Sequence, residues 1–453
     1  MDNAESSSDS YFIPDSNTLL LAEDGEFLTF KRGSFLKEYK EKIASAVKQE
    51  LVKKEKTLVV WSFTDELESM TSNLKYGYKK NHPDIELEYS FTPTDQYPNK
   101  LDSVFSSGRG GPDVFALESS FVRKYVEQGK DYLLPLDDVY KKIKDKTTKY
   151  QIQVGSYNGH VYAMSWQICP GAVFYRRSLA KQILGTDNPA DVQKYMSDFA
   201  KFRQLAELIN QKSNGKVKTV ASPADLFLAY KYSRKNPWIV DGKLVIDPAM
   251  EEYMETSKLI HGKGYDGNVW QWSEGWFAGM KDYLKDEHGE DIKVFCYFFP
   301  TWGLQYVLKP NSPETSGDWA MCQGPAKYYW GGSWLAAYKG TKNPSAAKKM
   351  IEYLVSDDKF CKAYTKETGD LLSNLNTQEE MKNEYPDSFL SGQNSYAEFC
   401  EMAKDINGNL NQSTDMEIDG LWNEAVSAYI NGEKTKNEAL SKFKSDVKAR
   451  LGF

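Results

Sequence analysis

From Leu58 onward the chain alternates short apolar runs with amphipathic stretches. The run LVVW at 58–61, β-branched and bounded by polar residues, predicts a buried strand. A helix is expected from Leu67 to Lys80, closed by Asn81-His82-Pro83-Asp84. IELEYSF at 85–91 alternates as a second strand, Tyr97–Ser106 reads as a helix ending at Gly108, Gly110 and Gly111, and PDVFAL at 112–117 makes a third strand. Strands alternating with helices over short connections predict an open, mainly parallel α/β sheet.

Further along, HVYAMSW at 160–166 and GAVFYRR at 171–177 read as strands. Helices follow at Ala190–Lys212, Pro223–Arg234 and Pro248–Lys263, then a tryptophan-dense loop at 264–280. Strand-like runs return at 294–299, 304–308 and 333–338, and the last third is helical: Ser345–Leu354, Asp357–Thr365, Tyr396–Asp405, Gly420–Ile430 and Lys436–Leu451. Ahead of Leu58, residues 1–15 read as disordered. Residues 17–55 start apolar and then turn into a charged helix with Leu36, Ile43, Val47 and Leu51 at helical spacing. The first 56 residues are thus expected to be a tether and a peripheral helix.

A chain of 453 residues exceeds what one small core needs, so two lobes are expected. The formal charge of -7, with both signs interleaved, lacks the basic stripe of a nucleic-acid binder. Eleven Trp, 29 Tyr and 22 Phe raise aromatics to 14%. Core filling accounts for most of them, but flat rings at strand ends are also what stacks on sugar faces. Five cysteines show no CxxC or CxxH pairing, so zinc and thioredoxin-type chemistry are not expected. One bridge, Cys361 to Cys400, is left open by the sequence. No run of 18 apolar residues exists. The polar start MDNAESSSDS fits either a cytosolic chain or a lipoprotein cut just after its lipidated cysteine, and the motifs below favour the second.

Signatures of chemistry are scarce. RGGPD at 109–113 has neither phosphate-loop spacing, and His82, His160, His261 and His288 lack helical-spacing partners. DINGNLNQSTDMEID at 405–419 puts its glycine at the wrong loop position for an EF-hand. No GxSxG elbow or catalytic cysteine context occurs, so neither catalytic residues, metal nor cofactor is expected. A glycosidase pair of carboxylates remains open among 64 acidic residues.

Four stretches occur in one order: LVVWSFTDELESM, SSGRGGPDVFALESSFVRKYVEQGKDYLLPLDDV, YNGHVYAMSWQICPGAVFYRRSLA and YYWGGSWLAAYKGTKNPSAAKKMIEYLVSDD. TGDLLSNLNT and INGEKTKNEALSKF follow. Together, over about 57–453, they resemble the family 1 extracellular solute-binding proteins of ABC importers, the group containing maltose-binding protein. The resemblance implies a two-lobed periplasmic-binding-protein-like fold (type II), each lobe a mainly parallel sheet flanked by helices, with a ligand cleft between. It places one lobe at 57–168 plus 325–372 and the other at 169–324 plus 373–453. It also implies an extracellular, lipid-anchored monomer that hands a carbohydrate, an oligosaccharide above all, to membrane permease subunits.

Ligands of such folds bind beyond the carboxyl ends of strands. Sugar hydroxyls want carboxylates and amides, here Asp65, Glu66, Glu118, Gln167 and Asp370. Their C–H faces want aromatic planes, here Phe63, Trp166, Trp270, Trp272, Trp302 and Trp330. A glycosidase, or the same fold binding a peptide, polyamine or anion, stands as the alternative. An anion would want Arg or Lys at the strand ends, where this sequence has acidic and aromatic residues.

Overall fold

The computed structural model describes residues 11–15, 18–23, 26–31, 42, 45 and 57–453 except 74. Two compact units result: Met1–Thr57 with Asp84–Leu87, and Leu58–Pro83 with Glu88–Phe453. In the first, β1 (Tyr11–Asp15), β2 (Thr18–Glu23) and β3 (Glu26–Lys31) form an antiparallel meander. The expectation of disorder over 1–15 therefore fails at Tyr11–Asp15. The physical reason is local: three strand-length runs follow one another with two residues between each, and the sequence pair Asp24-Gly25 between β2 and β3 is a hairpin signal. The helix expected in residues 33–56 lies outside the described residues, apart from Lys42 and Ser45, whose backbones are helical.

The second unit is built on two sheets. β4 (Thr57–Ser62), β5 (Glu86–Phe91) and β6 (Val114–Glu118) enter the first, with α1 (Glu66–Ser72) and α2 (Tyr97–Ser107) between them. α1 stops short of the predicted Lys80. A Cβ at Gly77 would lie 2.7 Å from the Asn73 backbone nitrogen, so the chain doubles back tightly there before a single turn at Tyr78–Asn81. α2 ends on left-handed Gly108 at φ 65°.

Later segments complete the sheets. β7 (Ala163–Ser165) joins the first, while β8 (Gly171–Arg176), β9 (Cys296–Pro300) and β10 (Trp319–Cys322) make the second. β11 (Ser333–Ala337) returns to the first, giving the orders β5-β4-β6-β11-β7 and β9-β8-β10. β4 and β6 are parallel, as a strand-helix-strand connection requires. β11 runs antiparallel to β6 and β7, and β8 antiparallel to β9 and β10. Parallel pairing is thus narrower than the alternating pattern predicts. The chain leaves one sheet through β7 and β8 and returns through β10 and β11, and strands arriving by such a passage run against those built by local crossovers.

The helices used below are α3 (Phe199–Ser213), α4 (Phe227–Ser233), α5 (Pro248–Gly262), α6 (Glu274–Met280), α7 (Pro344–Ser356), α8 (Asp358–Thr368), α9 (Asp415–Ile430) and α10 (Lys436–Leu451). The single helix expected over Ala190–Lys212 is two, because the Asp198 carboxylate accepts the Lys201 N–H at 2.8 Å and starts α3 afresh. LQYVL at 304–308 is a π-helical turn, Gly303–Leu308, rather than a strand. Leu304, Val307 and Leu308 are buried at helical spacing, which outweighs the strand-like composition.

Packing around the second sheet centres on Trp238, Trp422 and Phe443, with ring centroids 5.0–5.7 Å apart. All five cysteines are buried and free, so the bridge left open between Cys361 and Cys400 does not form. Among the described residues no helix is long and apolar enough to cross a membrane.

Candidate functional site

The carboxyl end of β6 and the turn after it form one wall of a cleft of about 470 Å³. Glu118 caps that turn, accepting the Ser120 N–H at 2.7 Å. The facing wall comes from α4 and the start of α9, with Lys231 and Asp415, and the back from Tyr329, Trp330 and Gly331. A smaller chamber of about 180 Å³ continues past Leu228 and Trp330 to Gln271 and Asp225.

Every cation on these walls is already matched. Arg123 donates to the Val154 and Ser156 carbonyls at 2.9 and 2.7 Å and pairs with Glu127 at 3.0 Å. Lys231 is buried between Asp419 and Asp415, the latter at 3.3 Å. Burial pulls the Lys231 pKa down, but Asp419 and Asp415 overcome that and leave it raised. Asp415 Oδ2 faces Lys231 at 3.3 Å and Arg234 at 3.8 Å, while its Oδ1 accepts no hydrogen bond. Burial raises its pKa. A buried acceptor without a donor costs about 1–3 kcal/mol unless something supplies the donor. A ligand hydroxyl would do so.

Beside the chamber three indoles form a corner. Trp272 and Trp302 lie nearly parallel, 11° apart with centroids at 6.2 Å, and Trp330 stands across both at 5.7 and 5.2 Å. The Trp302 indole N–H donates to the Trp330 carbonyl at 2.9 Å. Backbone geometry makes room: Gly331 and Gly332 have φ of 86° and 100°, and a Cβ on Gly331 would sit 2.6 Å from the Trp302 indole nitrogen. Trp272 is 45% exposed and Trp302 and Trp330 partly so.

A second cluster joins Glu66, Asp370, Gln167 and Trp166. Tyr364 O–H and the Trp166 indole N–H both donate to Glu66, at 2.8 and 3.2 Å, while Gln167 donates to Asp370 at 3.2 Å. Burial, together with the Asp370 charge and a hydrogen bond between the two carboxyls, pushes Glu66 well above the usual carboxylate range. Asp370 is raised as well, by burial first. Tyr306 is 63% exposed on the π-helical turn.

The expected residues therefore separate. Glu118 and Trp330 line the cleft, and Trp272 and Trp302 pack beside it. Glu66, Gln167 and Asp370 share one network. Phe63 and Trp166 depart from expectation, being enclosed by protein: Phe63 packs edge-on against Tyr97 and Phe121, and Trp166 is fully buried. Asp65 is exposed at the start of α1, and Trp270 lies away from the tryptophan corner on another cavity. Trp276, part of the expected loop, is instead buried in α6, which Ser273 caps. Sequence reasoning did not single out Lys231, Tyr232, Gln271, Tyr329, Tyr364 or Asp415. Lys231 had a legible signal, a charge inside the apolar run DLFLAYKY, and Asp415 opens a helix otherwise read as starting at Gly420.

Comparison with known proteins bears on this geometry. The family described as bacterial extracellular solute-binding protein matches residues 61–359. An arabinooligosaccharide-binding protein of Bacillus subtilis (strain 168) is 22% identical over 430 residues, covering 87% of this chain and 93% of that one. A solved extracellular solute-binding protein family 1 structure superposes with a TM-score of 0.77 at 17% identity, over 87% of this chain and 99% of the other. The ABC transporter associated binding protein from B. animalis subsp. lactis Bl-04, in complex with beta-1,6-galactobiose, superposes at 0.64 with 19% identity, over 86% and 96% of the two chains. The two-lobed architecture of these proteins is the architecture of this chain.

Proposed function

The chain belongs to the bacterial extracellular solute-binding protein family, and from that premise we propose that it captures a neutral oligosaccharide in the cleft and delivers it to an ABC permease. The observation that carries the reading is the pairing of surfaces around one opening. Indole planes of Trp272, Trp302 and Trp330 suit sugar C–H faces, and the unpartnered Oδ1 of Asp415 suits a hydroxyl. The matched state of Arg123 and Lys231 supports neutrality, since an anionic ligand would need a cation to spare. The saccharides in the names of the relatives above support the same class.

On this reading the lobes are 57–168 plus 325–372 and 169–324 plus 373–453, hinged where the chain passes between the sheets. Ligand bridges both lobes and stabilises the closed state through contacts made only there. Glu118, Trp272, Trp302 and Trp330 contact ligand directly, while Trp166 and Gln167 position the Glu66–Asp370 pair beside it. The protein works as a monomer, lipid-anchored outside the membrane, and carries out no hydrolysis. Support for that last point comes from Glu66 and Asp370 themselves. A glycosidase keeps its carboxyls about 5–10 Å apart with substrate between them, whereas these two are taken up by protein donors, Glu66 by Tyr364 and Trp166 and Asp370 by Gln167.

The test is thermal unfolding against a panel of neutral, acidic and basic saccharides, peptides and polyamines, with chromatography of the ligand afterwards. A ligand that binds only the folded protein adds about 2.7 kcal/mol at a hundredfold excess over Kd. A shift with neutral oligosaccharides recovered intact is expected. A shift confined to peptides or polyamines, or recovery of cleaved sugar, contradicts the proposal.

A further inference from the structure

The loop that supplies Trp272 also supplies an aromatic surface outside the cleft. Three successive residues serve three places. Trp272 joins the tryptophan corner, Gln271 lines the small chamber and donates to Asp225 at 2.9 Å, and Trp270 borders a separate cavity of about 250 Å³. Asn268 and Trp272 both take left-handed backbone, at φ 51° and 69°. A non-glycine residue pays for that conformation in stability, so the loop is held to its course by contacts. Asp225 provides two of them, accepting from Gln271 and from the buried Trp276 indole at 3.0 Å.

The cavity lies between α5, α9 and this loop, with Pro223, Tyr253, Trp270 and Val426 as its apolar surfaces. Trp270 is 70% exposed at its edge. Asn268, Asn431 and His261 add polar groups, and His261 is held through Nδ1 by Asp266 at 3.0 Å. No Lys or Arg is among its lining residues. The cavity adjoins the ligand site: Asn423 borders both it and the main cleft, and Ala224 borders both it and the small chamber. Its volume is below the roughly 300 Å³ at which drug-sized sites begin, which suits a terminal unit of a ligand rather than a whole one.

We propose that this cavity is an extension subsite, in which Trp270 stacks on the distal unit of a neutral oligosaccharide whose other units occupy the cleft. The inference rests on the carbohydrate reading above and adds that chain length is sensed on α5 and α9. The experiment is calorimetric titration of arabino-oligosaccharides and beta-1,6-galacto-oligosaccharides of about two to six units into the wild type, Trp270→Ala, Trp270→Phe and Trp302→Ala. Affinity of the wild type is expected to rise with length. Trp270→Ala should weaken the longer members by about tenfold while the disaccharide stays within about twofold, and Trp270→Phe should restore most of the loss. Trp302→Ala should weaken every length. Because Trp270 is exposed, its variants should melt with the wild type. An unchanged length series in Trp270→Ala, or an equal loss at all lengths, overturns the proposal and leaves the carbohydrate reading standing. Failure of the wild type to bind any member overturns both.

Discussion

Asp225 anchors the loop that carries Trp270, Gln271 and Trp272, and its titration should be visible in the stability of the protein. The carboxylate accepts from Gln271 Nε2 at 2.9 Å, Trp276 Nε1 at 3.0 Å and the Ser222 N–H at 3.3 Å. Burial nonetheless pushes its pKa from 3.8 up to about 7. A carboxyl raised in the folded state contributes stability that is complete below its unfolded pKa and is lost as pH rises through the folded one. The rise from 3.8 to about 7, at about 1.4 kcal/mol per unit, amounts to about 4 kcal/mol. Roughly 3 kcal/mol of it is withdrawn between about pH 5 and about pH 8.

Asp225→Asn has no proton to lose. Its carboxamide oxygen keeps the bonds from Gln271 and Trp276, while its NH2 meets the Ser222 N–H, a loss of about 1–3 kcal/mol. Urea unfolding of both proteins from about pH 5 to about pH 8 reads the difference. The variant should be the less stable at the acid end and gain about 3 kcal/mol on the wild type towards the alkaline end. Groups such as Glu66 and Asp370 titrate in both proteins and cancel. A difference that stays constant with pH would refute the reasoning, and would mean that water reaches Asp225 in the folded protein.

Other consequences can be measured separately. Trp302→Ala, which removes the ring against both Trp272 and Trp330, should weaken neutral oligosaccharide binding by about tenfold or more in calorimetry. Gly331→Ala should lower stability by about 1–2 kcal/mol and disturb the Trp302 fluorescence, because φ is 86° and the new methyl would meet the indole nitrogen. The five thiols, all buried and all raised in pKa by burial where a shift appears, should resist iodoacetamide in the native protein and react together in denaturant. Mass spectrometry would detect the contrary result as a native adduct. Glu66→Gln removes one of two adjoining acids, so its unfolding midpoint should fall less than that of the wild type as pH rises above the ordinary carboxylate range.

Much of the architecture was legible because it rests on local patterns. β4, β6, α2 and α10 fall where periodicity and caps place them, the Thr435–Glu438 capping box fixing the start of α10. Where local composition misled, a specific contact explains it: Asp198 restarts a helix, Gly77 shortens one, and Leu304, Val307 and Leu308 wind a segment that reads as a strand. The tryptophan corner was legible only in part. Trp272, Trp302 and Trp330 could be singled out by density and place, but Trp166 could not be separated from them. The difference lies in tertiary contacts, since Trp166 is enclosed and gives its N–H to Glu66. Lys231, Tyr329 and Asp415 escaped because a residue's share of a cleft depends on segments nearly two hundred positions apart.

The central claim is that a neutral oligosaccharide lies against the tryptophan corner. Titration of intrinsic tryptophan fluorescence with arabino-oligosaccharides and beta-1,6-galacto-oligosaccharides tests it directly, with Trp302→Ala and an acidic oligosaccharide alongside. The account predicts a saturable spectral change for a neutral ligand, smaller in Trp302→Ala and absent for the acidic one. A saturable response to the acidic ligand alone, or calorimetric binding of a neutral ligand with no change in the tryptophan spectrum, would contradict it.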